Sequence, residues 1–371
     1  MEMNKTNNIR INEIAEKLGL SVSTVSIVLN GRGDDLRIAK NTQKRIMDFC
    51  KEMNYQPNIY ARRLRAAARE ETAPIIALFF PVLTNGIMIS RFLAGIQSVP
   101  EIATRKVELI LQPFESNHLS MWRHMLTRNR YSGAIIIGMS TADEAFIFNT
   151  DFNLPIVLLN RFCQRHSVVC VDNHRVGALA ANLFNKTGHK RVALVLPAEQ
   201  TEPLSRRCLA YIEKCRELGL SLPPECIIRA DMSNDGGVRA AEELIRRNAG
   251  HMPTAVFFLE SSMAVGALSA FRRAGIDVPG EIQIISYGDN DQERFTVPAL
   301  SCIRMPTEDM SRDCINILIR FFSTHQYEPT IITHETPVIL RESFLCPADV
   351  LAQIAADPSA APAGSAARPD A

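Results

Sequence analysis

The chain has 371 residues, of which 46% are hydrophobic and 22% are charged, and its formal net charge is +1. This composition is typical of a folded globular protein and excludes an intrinsically disordered chain. No apolar run reaches the roughly 18 residues that a membrane span requires, so no membrane association is expected. The first residues lack the pattern of a signal peptide, and the nine cysteines include no C-x-x-C pair. We therefore expect a cytoplasmic protein with reduced thiols and predict no metal or cofactor.

The charges are unevenly distributed along the chain. Residues 1–69 contain 13 Lys and Arg against 7 Asp and Glu, whereas the other 302 residues contain 28 against 33. A basic head on a slightly acidic body favours contact with a polyanion such as nucleic acid. A solvated helical face can be equally basic, so the charge alone does not decide between the two interpretations.

The head predicts three short helices, because apolar residues recur in it at helical spacing. Gly19 ends the first helix, Ser21 is the predicted N-cap of the second, and Pro57 ends the unit. The predicted buried residues are Ile11, Ile14, Ala15 and Leu18 in the first helix, Val25, Val28 and Leu29 in the second, and Ile46, Phe49, Cys50 and Met53 in the third.

The first two helices, with the glycine-containing turn between them, have the pattern of a helix-turn-helix. Small hydroxyl residues open the second helix, where the backbone N–H groups already favour phosphate. Other side chains of this helix would face the base edges in the major groove. The residues predicted to contact DNA are Ser21, Val22, Ser23, Thr24, Ser26 and Ile27. The alternative is an ordinary three-helix domain used only for packing.

From Pro74 onward, apolar runs of strand length alternate with amphipathic stretches of helix length. This alternation predicts parallel sheets covered by helices on both faces, and the length predicts two lobes. A ligand is then expected beyond the carboxyl ends of the strands, between the lobes. The predicted strands are residues 75–80, 107–111, 134–137, 156–159, 168–171, 192–196, 255–259 and 282–285, and the clearest helices are 176–185, 208–218, 238–247 and 263–273.

With these motifs in order, the chain resembles the lactose/galactose-repressor family of bacterial transcription regulators. The resemblance extends from about Ile9 to Ser343. Its most specific pieces are Gly19-Leu20-Ser21, Thr24-Val25-Ser26, Tyr55-Gln56-Pro57-Asn58, Ala61-Arg62-Arg63-Leu64-Arg65, Val171-Asp172-Asn173, Gly188-His189-Lys190-Arg191 and Leu340-Arg341-Glu342-Ser343.

The resemblance implies an all-α helix-turn-helix head with a hinge, followed by a two-lobed α/β effector domain like a periplasmic binding protein. The expected domains are a DNA-binding domain at 9–57, a hinge helix and linker at 58–73, an effector-binding and dimerisation domain at 74–346, and a disordered Ala/Pro-rich tail at 347–371. Leu64 matches the residue that wedges into the minor groove, where it would kink the operator. Further DNA contacts are implied for Asn30, Tyr55, Asn58, Ala61 and Arg62.

The chain departs from the family at several positions. At the position of Ile27, most members carry an arginine that forms a bidentate hydrogen bond with guanine. Isoleucine cannot form this bond. The turn from Gly31 to Arg37 is also longer than usual. In the effector cleft, Val82 stands where an aspartate is frequent, and Glu260-Ser261 stand where Asn-Asp is usual. The aspartate that often bonds sugar hydroxyls aligns with Gly288, with Asp289 following it, which leaves fewer acceptors for sugar hydroxyls.

The effector contacts implied by the resemblance are Val82, Asn85, Asn160, Arg207, Met232, Glu260 and Asp289. Arg207 matches the arginine that commonly grips the effector. A surface or interlobe ion pair is an equally good interpretation of Arg207 and Glu260. The expected effector is a sugar or another small polar metabolite.

We expect a nucleoid-associated homodimer, or a higher oligomer, that binds double-stranded operator DNA and usually represses transcription. One alternative is a solute-binding protein without a transcriptional role, which the basic head and the missing signal peptide disfavour. An enzyme is not expected, because no strand end combines a nucleophile, a base and oxyanion donors.

Overall fold

The computed structural model describes residues 11–29, 33–34, 36–53, 73–82, 86–104, 106–128, 130–199 and 201–350. Contacts between residues divide the chain into two units, Met1–Ala73 and Pro74–Ala371. None of the helices within the described ranges is both long and apolar enough to cross a membrane.

The first unit contains the three helices that the apolar spacing predicts. Their bounds are α1 (Ile11–Leu18), α2 (Val22–Leu29) and α3 (Lys40–Glu52). Gly19 follows α1 with a φ of +65°, a conformation that glycine adopts at little steric cost. The small core consists of Ile14, Ala15, Val25, Val28, Ile46 and Cys50. The prediction was wrong for Met53, which is exposed because α3 ends at Glu52, one residue before it.

The first lobe of the second unit is a six-stranded parallel sheet in the order β11-β5-β4-β3-β1-β2. Its strands are β1 (Ile75–Pro81), β2 (Glu108–Phe114), β3 (Gly133–Ile136), β4 (Ile156–Leu159), β5 (Ser167–Val171) and β11 (Ile331–His334). Its helices are α4 (Gly86–Gln97), α5 (Pro100–Ala103), α6 (Thr141–Phe148) and α11 (Thr307–Thr324). Strands β3 and β4 are buried at every residue, as expected for a sheet covered on both faces.

The second lobe has the order β12-β10-β9-β8-β6-β7, in which only the pair β10–β12 is antiparallel. Its strands are β6 (Val192–Pro197), β7 (Ile227–Ala230), β8 (Ala255–Phe258), β9 (Gln283–Tyr287), β10 (Ser301–Ile303) and β12 (Val338–Ile339). Its helices are α7 (Asn173–Lys186), α8 (Glu202–Glu217), α9 (Asn234–Arg247) and α10 (Ser261–Arg273).

The chain passes between the two lobes three times. It leaves the first lobe after β5, returns to it after β10, and leaves it again after β11. Helix α11 belongs to the first lobe, because Leu318 lies against Gly133 of β3 and Ser311 lies against Gly95 of α4. The first lobe is therefore assembled from two separate stretches of the sequence.

All eight predicted strands and all four predicted amphipathic helices are present, with ends displaced by at most three residues in the strands and six in the helices. The prediction omitted β7, β10, β11 and β12. These strands have only two to four residues, and β11 and β12 are at most half-buried. Their apolar runs are too short to stand out in the sequence.

Candidate functional site

Helix α2 presents a polar and partly exposed face opposite the core of the head. Val25 and Val28 point into that core, whereas Val22, Ser21 and Ser23 are exposed. The remaining predicted contacts, Thr24, Ser26 and Ile27, are half-buried. The helix-turn-helix geometry therefore leaves the opening turn of α2 accessible to a ligand of the head.

The N-terminus of α2 is capped as the sequence predicts. The Ser21 Oγ accepts a hydrogen bond of 3.0 Å from the Thr24 N–H and lies 2.8 Å from the Thr24 Oγ1. Such a cap contributes about 1 kcal/mol to helix stability. It also fixes two hydroxyl groups beside the positive end of the helix dipole, where a phosphate is favoured.

Several predicted DNA contacts lie outside the described residues. They are Asn30, Tyr55, Asn58, Ala61, Arg62 and Leu64, together with the rest of the hinge up to residue 72. Their roles stay predictions from the resemblance. The turn before α3 is described in part, and there Asp34 accepts hydrogen bonds from Lys40 at 2.7 Å and Gln43 at 2.9 Å.

In the second unit, the candidate effector site lies at the carboxyl ends of strands from both lobes. Arg207 on α8 is the central residue, with only 6% of its surface exposed. Its guanidinium carbon lies 3.8 Å from the centre of the Tyr287 ring, at the end of β9. Burial lowers the pKa of Arg207, and the positive charge of Arg161 lowers it further.

The first lobe contributes Asn160 and Arg161, which follow β4 directly. Asn160 has a φ of +53°, and its Oδ1 accepts a hydrogen bond of 2.9 Å from the Asn173 Nδ2. Arg161 is buried, forms an ion pair with Glu144, and donates to the carbonyl oxygens of Asn160 at 2.8 Å and of Met139. These bonds fix the loops that follow β3 and β4.

Glu260 is part of the helix cap of α10. Its Oε2 accepts hydrogen bonds from the N–H groups of Ser262, at 2.9 Å, and Met263, at 3.3 Å, and from the Ser262 hydroxyl. Burial raises the pKa of Glu260, and these hydrogen bonds oppose the increase. The structure therefore gives this carboxylate a structural role that neither interpretation of the sequence included.

Asp289 forms ion pairs within the second lobe. Its Oδ1 accepts a hydrogen bond of 2.6 Å from the Arg341 Nη2, and its Oδ2 lies 3.5 Å from the Arg304 Nε. The backbone carbonyl oxygen of Asp289 accepts a hydrogen bond of 2.7 Å from Arg91 of the first lobe. Arg91 also forms an ion pair with Glu308. Contact between the Asp289 side chain and an effector stays a prediction.

The remaining predicted effector residues are less informative. Val82 and Met232 are exposed, in the turns after β1 and before α9. Asn85 lies outside the described residues. Effector contact by these three residues stays a prediction.

The sequence analysis missed Arg161 and Tyr287. Both residues stand directly at the carboxyl end of a predicted strand, beside residues that were selected. Such positions line the ligand crevice of parallel α/β sheets, so the strand ends alone could have indicated them. Gly288, directly after Tyr287, has a φ of +131°, and a Cβ there would lie 2.7 Å from the Ser261 Oγ. Glycine thus allows the end of β9 to approach the start of α10.

Comparison with protein families gives two matches that agree with this architecture. Residues 10–58 match the model described as bacterial regulatory proteins, lacI family, and residues 181–344 match a periplasmic binding protein-like domain.

Individual relatives agree with the family models. The probable transcriptional repressor ExuR of Bacillus subtilis is 27% identical over 90% of this chain and 98% of its own. A LacI family transcription regulator from Clostridium acetobutylicum is 31% identical, with a TM-score of 0.67 over 72% of this chain and 99% of that one. The regulator CelR in complex with cellobiose, at 22% identity, has the same fold, with a TM-score of 0.65 over 91% of this chain and 100% of that one.

These relatives are regulators and not enzymes, and they give no support to a solute-binding protein without a transcriptional role. The chain belongs to the lacI family of bacterial regulatory proteins, and it is a transcriptional regulator with a periplasmic-binding-protein-like effector domain.

Proposed function

We propose that this regulator represses transcription as a cytoplasmic, nucleoid-associated homodimer that binds a palindromic operator. In this proposal residues 9–57 bind DNA, residues 58–73 form the hinge, and residues 74–346 bind a small effector between the lobes and form the dimer. The observation that carries the proposal is the exposed, capped N-terminus of α2 on a basic head, joined to a two-lobed body with a buried arginine at its strand ends.

Two-fold symmetry of a homodimer would place two α2 helices in successive major grooves, about one helical turn apart. Cellobiose bound to the related regulator CelR supports the assignment of a small polar effector to the cleft. Effector binding would change how the two lobes are held and, through the hinge, the order of the DNA-binding segments.

We expect full-length protein to bind selected palindromic DNA with an affinity that falls steeply with salt. If a dimer makes 6–10 phosphate contacts, the affinity should fall by about 10³-fold or more between roughly 50 and 200 mM salt. Fluorescence anisotropy on labelled duplexes measures this slope.

The matched variants for this experiment place one carboxylate on each unit. Ser23→Glu puts a negative charge on the exposed face of α2 and should weaken binding by about 100-fold, through repulsion from phosphate. Ser120→Glu changes an exposed position in the body and should leave binding unchanged. Equal affinity of the two variants would reject α2 as the DNA-binding element.

A second prediction concerns Ile27. Selection of binding sites from random DNA should give a consensus without a guanine preference at the base pair that Ile27 faces, because isoleucine cannot pair with guanine O6 and N7. Ile27→Arg should introduce that preference, with a discrimination of about 1–3 kcal/mol, whereas Ile27→Val should not. Recovery of the usual family consensus by the unmodified protein would contradict the proposal.

A further inference from the structure

Arg207 is a buried cation without a bonded counterion in the described part of the chain. Its Nε and Nη1 are buried and make no hydrogen bond with any described residue. The ring of Tyr287 contacts one face of the guanidinium, and each of its two bidentate edges, Nε with Nη2 and Nη1 with Nη2, keeps an unsatisfied N–H donor. Burying an ionised group without a partner is costly, so an edge of this kind indicates a site built for an acceptor.

Arg161 is a buried arginine whose charge and N–H donors have partners within the protein. It is as buried as Arg207, at 6% exposure, and it has a carboxylate partner and two carbonyl acceptors. The difference between the two arginines is therefore specific to the position of Arg207 at the strand ends of the second lobe.

The nearby carboxylates have other partners. Glu260 caps α10 through its Oε2, Asp289 is paired with Arg341 and Arg304, and Glu202 is paired with Arg206 on the exposed side of α8. Glu260 is close enough for its charge to raise the pKa of Arg207, yet it forms no ion pair with it. The guanidinium of Arg207 is therefore left without a bonded carboxylate from these residues.

We propose that the effector of this regulator is an acid, and that its oxyanion, a carboxylate or a phosphate, pairs with the edge of the Arg207 guanidinium. A planar guanidinium presents two parallel N–H donors that match both groups, and such pairs are stronger than hydrogen bonds to a neutral hydroxyl. The Tyr287 hydroxyl, which is also buried and lies beside the Arg207 guanidinium, would bind a further polar atom of the same ligand. This inference rests on the proposed function, since it assigns a chemical class to the effector of that cleft.

The test compares each neutral sugar or polyol with acidic derivatives that carry a carboxylate or a phosphate. The full-length protein is heated with glucose, glucuronate, gluconate or glucose 6-phosphate, with galactose or galacturonate, and with glycerol or glycerate, all at equal ionic strength. At least one acid should raise the Tm by about 5 °C or more at 100 times its Kd, and its neutral partner should not. The carboxylate and phosphate members separate the two possible oxyanions.

Two variants connect the shift to Arg207. Arg207→Met should weaken binding of the active acid by at least about 30-fold, because a desolvated charge pair is lost. Arg206→Met, which changes the exposed neighbour paired with Glu202, should bind the acid as the unmodified protein does.

Three results would overturn the inference: a larger shift with the neutral member of a pair, an equal shift in Arg207→Met, or no shift with any acid. Affinity for operator DNA, measured without any probe, reports separately on the proposed regulatory function. A protein that binds operator and responds only to neutral sugars would therefore reject the acidic effector and retain the regulator.

Discussion

Arg161→Met should lower the free energy of unfolding by about 3–5 kcal/mol, whereas Arg207→Met should leave it unchanged or raise it. Arg161 neutralises Glu144, which is only 8% exposed, so its removal leaves an uncompensated buried carboxylate. Arg207 has no such partner among the described residues, and methionine would place an apolar side chain on the Tyr287 ring. Urea denaturation followed by circular dichroism measures both variants.

The loss in Arg161→Met should also depend on pH. Burial already raises the pKa of Glu144, and without Arg161 the pKa of this carboxyl in the folded state would lie further above its ordinary value. Its destabilising effect then grows as the pH rises through that folded-state pKa, so the loss should be larger at about pH 8 than at about pH 5. The double variant Arg161→Met with Glu144→Gln should recover much of the stability. Equal losses for Arg161→Met and Arg207→Met would show that the two arginines do not differ as described.

The second large effect is expected for Gly177→Ala, which should lower the free energy of unfolding by at least about 2 kcal/mol. A Cβ at this position on α7 would lie 2.2 Å from the Arg207 carbonyl oxygen and 2.8 Å from the Tyr211 nitrogen on α8. These are backbone atoms, so the two helices would have to separate. The clash must exceed the roughly 1 kcal/mol that alanine gains over glycine within a helix.

Because the contact includes the backbone of Arg207, the same variant should also weaken the response to the effector. Gly86→Ala is the matched control, since a Cβ at the first residue of α4 meets no described atom within 4 Å. It should be neutral or slightly stabilising. Comparable denaturation midpoints for the two variants would show that α7 and α8 are not in this close contact.

The sequence predicted those parts of the fold that depend on local patterns. Gly19 and Ser21 act through backbone conformation and a cap within three residues, so their roles can be read from neighbouring letters. The buried central strands were equally clear, because their apolar runs are continuous. Strands β7, β10, β11 and β12 were missed because they have only two to four residues, and β11 and β12 are in addition at most half-buried.

The candidate site was predictable in its location and not in its bonding. Arg207 was selected through the resemblance, but its stacking on Tyr287 brings together residues from α8 and β9. The sequence likewise gave no indication that Glu260 would cap a helix or that Asp289 would pair with Arg341. Partner choice among charged residues depends on tertiary geometry, which a single sequence does not encode at any fixed spacing.

The three passages of the chain between the lobes have a consequence for synthesis on the ribosome. Helix α11 and strand β11 complete the first lobe, yet they follow nearly the whole second lobe in the sequence. Until residue 318 has emerged, Gly133 of β3 lacks the covering side chain of Leu318, and until residue 334 has emerged, β5 has an unpaired edge. The amino-terminal lobe therefore stays incomplete until all of the second lobe except β12 and the segment beyond it has been synthesised, and its unfinished surface is where chaperones would bind the nascent chain.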